Sequence, residues 1–388
     1  MRKLYLDMKY VGNVPEAYRM NAGTLSAVAG QNLGNFVFRH ALRYILADLA
    51  DFEPVLGGEF REIAAVERVD QVIVSCANWL GQTAQDERFN LGRATMIESV
   101  DCLVTAFGLG TQAPAMYHDG PIRLGPNSIR LARALSERAA QFSVRDELTR
   151  RTLEAVGIHN AVVTGCPSGF INVDPALGTK LAARADMLGR SLGGWGDVRS
   201  AISEVTGGHP ASGRVLADHM QMLADSPAFY VLQTPHLLPF IMGDRSNIPQ
   251  DYRKNNPFMG QSGRLTTTLK AKVLHFSDVD SWMDFSRTCD LSFGMRIHGT
   301  VVPLQAGVPS VLVAHDSRTV GLAQAMWVPW IDPEDFLVRV RQGPGALFAV
   351  FSEKIDGYDA NRQARARLMR DLVEANGLQV HSALAGLT

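Results

Sequence analysis

Asp290-Leu-Ser-Phe-Gly-Met-Arg-Ile-His-Gly-Thr-Val-Val-Pro-Leu-Gln-Ala-Gly-Val-Pro-Ser-Val-Leu-Val313 contains, in one short stretch, the pattern that decides the fold. Asp290–Phe293 has the apolar run of a buried strand, the chain breaks near Gly294, Gly299–Ala306 has helical spacing, and Ser310–Val313 is apolar again. Strand, helix, strand in that order is the repeat of a parallel sheet covered by helices. It puts Arg296 and His298 in the loop at the carboxyl end of a strand, with Gly299 opening the helix. Open α/β sheets bind ligands there, and helix amides attract anions. Arginine is a planar, permanently charged donor suited to phosphate or carboxylate, and histidine exchanges a proton near neutral pH. The plainer alternative pairs Arg296 with Asp290 and uses His298 to cap a backbone group.

The same alternation extends in both directions. Upstream, Ala228–Gln233 and Val273–Phe276 read as strands and Trp282–Thr288 as a helix, so a second doubly wound unit runs to about residue 355. Earlier still, Val69–Cys76, Ser99–Phe107, Ala140–Val144 and Asn160–Thr164 read as strands among the helical stretches Phe36–Leu49, Asn127–Ala139 and Glu147–Val156. The pattern loosens after Asp174-Pro175, which divides the chain into a Rossmann-like domain at 1–175 and another at 176–388. Two such domains fit 388 residues, given a prior of about 100–200 residues per domain. The polar stretch 247–263 reads as a loop, and Asp359–Asn376 as a terminal helix crossing back over the first domain, its arginines on a solvated face.

A hydrophobic fraction of 46% with 20% charged residues is that of a globular protein. The net charge of -1 gives no global field for nucleic acid. The N-terminal stretch lacks the apolar core of a secretory signal, and no run approaches the roughly 18 apolar residues of a spanning helix, so a cytoplasmic protein is expected. Cys76, Cys102, Cys166 and Cys289 are scattered without a CxxC pair, which speaks against a metal knuckle or disulfide framework and for small buried apolar residues.

Three more loops have the same placement as the first. Arg145 follows the strand ending at Val144, with Asp146 and Glu147 opening a helix as first-turn acids. His315 and Arg318 follow Val313. Gly30-Gln-Asn-Leu-Gly-Asn35 precedes a helix; Gly34 permits close approach of the backbone, and Asn32 and Asn35 offer amide hydrogen bonds. His236, also after a strand, reads as a core or loop histidine.

In this order the loops resemble the polysaccharide pyruvyl transferase family: Asn32-Leu-Gly-Asn35, Arg145-Asp-Glu-Leu-Thr149, Cys166-Pro167, Arg296-Ile-His298 and Gly307-Val-Pro309. Asn35 stands where an aspartate is usual and Thr149 where a serine is usual; the second exchange keeps a hydroxyl, the first loses a charge. The resemblance implies a fold like the GT-B glycosyltransferases, two Rossmann-like domains facing a cleft. It implies phosphoenolpyruvate as donor substrate without a further cofactor or metal. The acceptor would be a sugar, often in a lipid-linked repeat unit, which would bring the protein to the inner membrane face. On that basis Arg145, Arg296 and His298 are the expected catalytic residues, with Arg318 joining the arginines on the donor and His298 as its proton donor. Asn32, Gly34, Asn35, Gly299, His315 and Arg318 are the expected substrate-binding ones. A nucleotide-sugar glycosyltransferase and a non-catalytic glycan-binding protein are the competing readings, since a fold does not decide its ligand. The oligomeric state and acceptor sugar are left open.

Overall fold

Two parallel sheets organise the chain. A computed structural model describes residues 2–6, 10–113, 115–118, 120–244, 248–258 and 261–388. In the first sheet β1 (Lys3–Leu6), β2 (Glu53–Val55), β3 (Gln71–Ser75) and β4 (Leu103–Phe107) lie in the order β2-β1-β3-β4. Beside them β5 (Phe142–Val144) pairs with β6 (Ala161–Val163), linked to the strand-end loop by a bridge between Leu109 and Val144. In the second sheet β7 (Ser200–Ser203), β8 (Phe229–Leu232), β9 (Val273–His275), β10 (Leu291–Gly294), β11 (Ser310–Val313) and β12 (Trp330–Ile331) lie in the order β12-β11-β10-β7-β8-β9. Every strand pairing within the sheets is parallel. The class is therefore α/β with two Rossmann-like units, as the sequence indicates.

The central strands β3, β10 and β11 are buried along their whole length because helices cover both faces, which encloses even Gln71, Ser75, Ser292 and Ser310. Strand order reverses once in each sheet: β1 separates β2 from β3, and chain order departs from β7 towards β8 on one side and β10 on the other. The crevices above the carboxyl ends of β1 and β3, and of β7 and β10, are therefore where such sheets take ligands.

The units are joined by an apolar interface. Val14, Leu25, Phe36 and Val37 from the first unit's N-terminal segment pack with Val231, Trp282 and Val302 of the second. The helix Tyr358–Ala375 crosses back, and its Ala366, Met369, Leu372 and Val373 cover Tyr5, Ile73 and Phe107 on the first sheet.

Several local expectations need correction. The four short strands β1, β2, β7 and β12 were not evident from residue pattern. The helix expected at Phe36–Leu49 is Asn35–Ala41, followed by a tight turn at Leu42–Tyr44. The stretch read as a loop at 247–263 contains the helix Gln250–Lys254 with Tyr252 buried; residues 247, 259 and 260 lie outside the described ones. On the terminal helix Arg367 is exposed, but Arg362 is buried and donates to the Asn172 carbonyl, and Arg365 donates to that of Ala325. Among the described residues, no helix is long and apolar enough to cross a membrane.

Candidate active site

Three strand-to-helix turns build the site, each set by a local cap. Asp146 accepts from the Thr149 amide at 2.7 Å and starts the helix Glu147–Glu154, which fixes Arg145 at the end of β5. Asp316 accepts from the Thr319 amide at 2.7 Å and starts Ser317–Met326, which fixes His315 and Arg318 after β11. The helix after β10 begins at Ile297, two residues earlier than expected, so Arg296 is its capping position and His298 lies in its first turn rather than in the loop. Gly294 at φ 139° makes that turn possible: a Cβ there would lie 2.4 Å from the Ser203 carbonyl oxygen.

Arg145 is 3% exposed. Its Nη2 donates to the Cys76 carbonyl at 3.1 Å, its guanidinium lies 5.3 Å from the Phe38 ring centre, and its Nε has no hydrogen-bond partner. Among the described residues it makes no ion pair. Burial pushes its pKa down, and Arg318 adds repulsion to that, although an arginine stays charged throughout the working range. Arg296 is placed differently. Its Nε lies 3.8 Å from Oε2 of Glu204, which accepts from the amides of Gln233 at 3.0 Å and Thr234 at 2.9 Å. Asp290, the alternative partner, instead accepts from the Arg199 amide at 2.9 Å. Arg318 donates to Asp316 at 3.3 Å and keeps an unpartnered Nε. An unpaired buried donor costs about 1–3 kcal/mol, so three guanidinium Nε groups without hydrogen-bond partners make a strong demand for an anion.

His298 is 5% exposed, with Nε2 at 3.6 Å from the Cys166 Sγ and its ring 5.9 Å from that of Phe38. Burial first, then repulsion from Arg145 and Arg318, push its pKa down to about 3. In the free protein it is a neutral imidazole, which corrects the expectation of a group titrating near neutral pH. His315, within 3.6 Å of Asp316, is pushed down to about 4 by burial against the opposing pull of that carboxylate.

The Gly30–Asn35 loop shapes the cleft from the first unit. Asn32 Oδ1 accepts from the Gly34 amide at 2.9 Å, the Leu33 amide donates to the Gln233 carbonyl at 2.7 Å, and Asn35 donates to the Ala29 carbonyl at 3.0 Å. A Cβ on Gly34 would lie 2.4 Å from Gln233 Oε1 and 3.0 Å from His298 Nδ1, so the close approach is to the site's own side chains. A Cβ on Gly299 would likewise fall 2.3 Å from that of Ser203. Thus Arg145, Arg296, His298, His315 and Arg318 gather in one crevice, with Gly34 against His298 and Asn35 one helix turn from Phe38. His236 pairs with Asp251 at 3.0 Å and lines the neighbouring cavity beside Arg296.

Residue pattern missed Glu204, Gln233, Phe38 and the contact of Cys166 with His298. Glu204 had a signal: an acid between the strand Ser200–Ser203 and the glycines 207 and 208, which is legible only once β7 is recognised. A cavity of about 420 Å³ opens beside Arg296 over Glu204, Thr206, Thr234 and Asp251. Among the described residues, no three His, Cys, Asp or Glu side chains converge as metal ligands.

Several solved structures share the general arrangement. One is a protein described as a UDP-N-acetylglucosamine 2-epimerase from Listeria monocytogenes, with 13% identity over 96% of this chain and 97% of that one and a TM-score of 0.44. HepE of Anabaena, solved with UDP and glucose, has 11% identity over 97% and 99% of the two chains and a TM-score of 0.44. The wall teichoic acid polymerase TagF has 10% identity over 97% and 89% and a TM-score of 0.38. Likeness of this degree carries no argument about ligands. Among curated proteins none matches. The family model for polysaccharide pyruvyl transferase matches residues 32–317, from the asparagine–glycine loop to the cap after β11. With most of its length and all five loop motifs inside that match, the chain belongs to the polysaccharide pyruvyl transferase family and is a transferase.

Proposed function

We propose that the protein transfers the enolpyruvyl carbons of phosphoenolpyruvate onto two hydroxyls of a sugar in a polysaccharide or its precursor, giving a pyruvate ketal and phosphate. The observation that carries this reading is the set of three arginines, one buried and two half-buried, each with a buried and unpartnered Nε atom, around a neutral histidine. Phosphoenolpyruvate bears a phosphate and a carboxylate, and planar guanidinium groups match both. On this reading Arg145, Arg296 and Arg318 together hold the donor's two anionic groups.

Protonation of the donor's methylene carbon leaves the adjacent carbon electron-poor. One sugar hydroxyl adds there, and a second displaces phosphate and closes the ring. Of the two hydroxyl protons, one replaces the proton delivered to the methyl carbon and the other leaves with phosphate. His298 moves the proton. Neutral in the free protein, it gains proton affinity when donor anions cancel the repulsion of Arg145 and Arg318, so binding the substrate arms the acid. The reaction so written uses no cofactor.

Incubation with phosphoenolpyruvate and a panel of glycans, followed by phosphate release and product mass, tests the reading. A mass gain of a ketal-linked pyruvyl group with equimolar phosphate is the expected result. Binding of nucleoside diphosphates with no response to phosphoenolpyruvate would sink it in favour of a nucleotide-sugar transferase.

A further inference from the structure

The reversal of strand order in the first sheet has its own cavity. A space of about 420 Å³ is walled by Leu6 at the end of β1, Ser75 and Trp79 after β3, Asn35 and Phe38 of the helix Asn35–Ala41, and Arg93. This is the crevice above β1 and β3 that the topology singles out, and its size is that of a small-ligand pocket, about 300–1,000 Å³. It adjoins the arginine cluster at Phe38, which lines the cavity and also lies 5.3 Å from the Arg145 guanidinium and 5.9 Å from the His298 ring.

The walls hold two arginines, the buried Arg39 with its guanidinium 5.4 Å from the Phe38 ring centre and Arg93, together with an aromatic plate that the cluster lacks. Arg93 stacks over Trp79 at 4.2 Å and donates to Asn90 Oδ1 at 2.8 Å, so its charge is engaged in holding the indole as a fixed plate. Trp79 is half-buried at the wall, and Met96 and Ile97 add apolar surface. Asn35 spends its Nδ2 on the Ala29 carbonyl and keeps Oδ1 as an acceptor. A pyranose has one apolar face of C–H groups and a rim of hydroxyls. A rigid aromatic plate meets the first and an amide oxygen the second, and an aromatic ring's electron-rich face favours the positively polarised C–H groups.

We propose that this cavity holds the acceptor sugar, its pyranose ring on Trp79 and its reacting hydroxyls towards Phe38 and the arginine cluster beyond. The inference rests on the pyruvyl-transfer reading for the identity of the reaction, but the site itself is one for a sugar ring. Trp79 is then a specificity-determining contact and Phe38 the gatekeeper between acceptor and donor.

The test uses methyl β-galactoside, methyl β-glucoside and methyl α-mannoside as probes, with binding read by saturation-transfer NMR in the absence of phosphoenolpyruvate. Wild type, Trp79→Ala and Trp79→Phe are compared, with phosphoenolpyruvate binding by calorimetry as the control for an intact cleft. At least one hexoside is expected to bind wild type and Trp79→Phe, and to bind Trp79→Ala about tenfold more weakly, a difference of about 1.4 kcal/mol, with donor affinity unchanged. Equal hexoside binding by Trp79→Ala, or no hexoside binding by wild type, overturns the proposal. So does a loss of donor affinity in Trp79→Ala with hexoside binding retained, since Trp79 would then serve the donor. Trp79-dependent hexoside binding by a protein that binds no phosphoenolpyruvate would leave this site standing and remove the pyruvyl-transfer reading instead.

Discussion

Arg145 follows β5 in the first unit and Arg296 follows β10 in the second, yet they are held in opposite ways. Arg296 has Glu204 within 3.8 Å, a carboxylate fixed by two amides, so half of its charge balance is built into the protein. Arg145 has a backbone carbonyl and the face of Phe38, and Arg318 repels it. A buried ion pair broken on one side leaves an uncompensated charge, whereas removal of a cation that has no partner relieves one. The two arginines should therefore answer the same substitution differently, although the proposed reaction assigns both to the same anion.

Arg145→Met should give the largest effect, a loss of about 10²–10³-fold in the rate of phosphate release, the scale of a removed transition-state donor. Its stability to urea should hold or rise. A parallel fall in stability would break the comparison, because Arg145 would then have a structural partner. Arg296→Met should slow turnover by about tenfold or more and also cost about 1–3 kcal/mol in urea unfolding, the penalty for stranding Glu204. Arg296→Met combined with Glu204→Gln should recover the stability and not the turnover.

His298 and His219 sharpen the contrast further, because both are pushed down to about 3 for different reasons. His219 sits among Tyr230, Phe293 and Phe336 and is depressed by burial alone; His298 feels two arginines as well. An anion should relieve only the second. The proposed arming of His298 requires phosphoenolpyruvate to bind tighter as pH falls, by up to about tenfold per unit relative to His298→Gln. Calorimetry in buffers of different ionisation heat should show the accompanying proton uptake, and its absence would remove the arming step. For His219 the sign concerns folding. The unfolded imidazole takes a proton below about pH 6.5 and the folded one only near 3, so its contribution is full above 6.5 and is lost as pH falls, by about 1.4 kcal/mol per unit. His219→Leu should flatten urea stability between pH 6.5 and 4 by that slope. The smallest effect belongs to Asn35→Asp, which restores the family's usual residue but gives up the bond to the Ala29 carbonyl. Turnover should stay within about threefold, and thermal unfolding should show a loss of about 1 kcal/mol.

The legible parts of the fold were those where short, mostly apolar strands flank a run with helical spacing, as β10 and β11 do. β7 was illegible because Ser200-Ala-Ile-Ser203 is only four residues long with a hydroxyl at each end, although it is as buried as β10. With it went Glu204, and so the asymmetry between the two arginines. Strand-end placement made Arg145, Arg296, His298, His315 and Arg318 readable as candidates. The depressed pKa of His298 was not readable, since it arises from burial and from two arginines distant in sequence. Phe38 reads as an ordinary apolar position on a helix; only the fold sets it between a cavity and a cluster of charges. Cys166 reads as a small core residue, and it is one, except that its sulfur faces the histidine.

The helix Tyr358–Ala375 carries a consequence for synthesis on the ribosome. Tyr5, Ile73 and Phe107 emerge early, yet the side chains that cover them, from Ala366 to Val373, come nearly at the end. At about 5–20 residues per second, the wait between Phe170 and Ala366 lasts roughly 10–40 s. During it that face of the nascent first sheet has only the partial cover of Leu42, Ile45, Leu46, Phe52 and Phe170, so a chaperone that shields apolar strands would have its window before the last helix arrives.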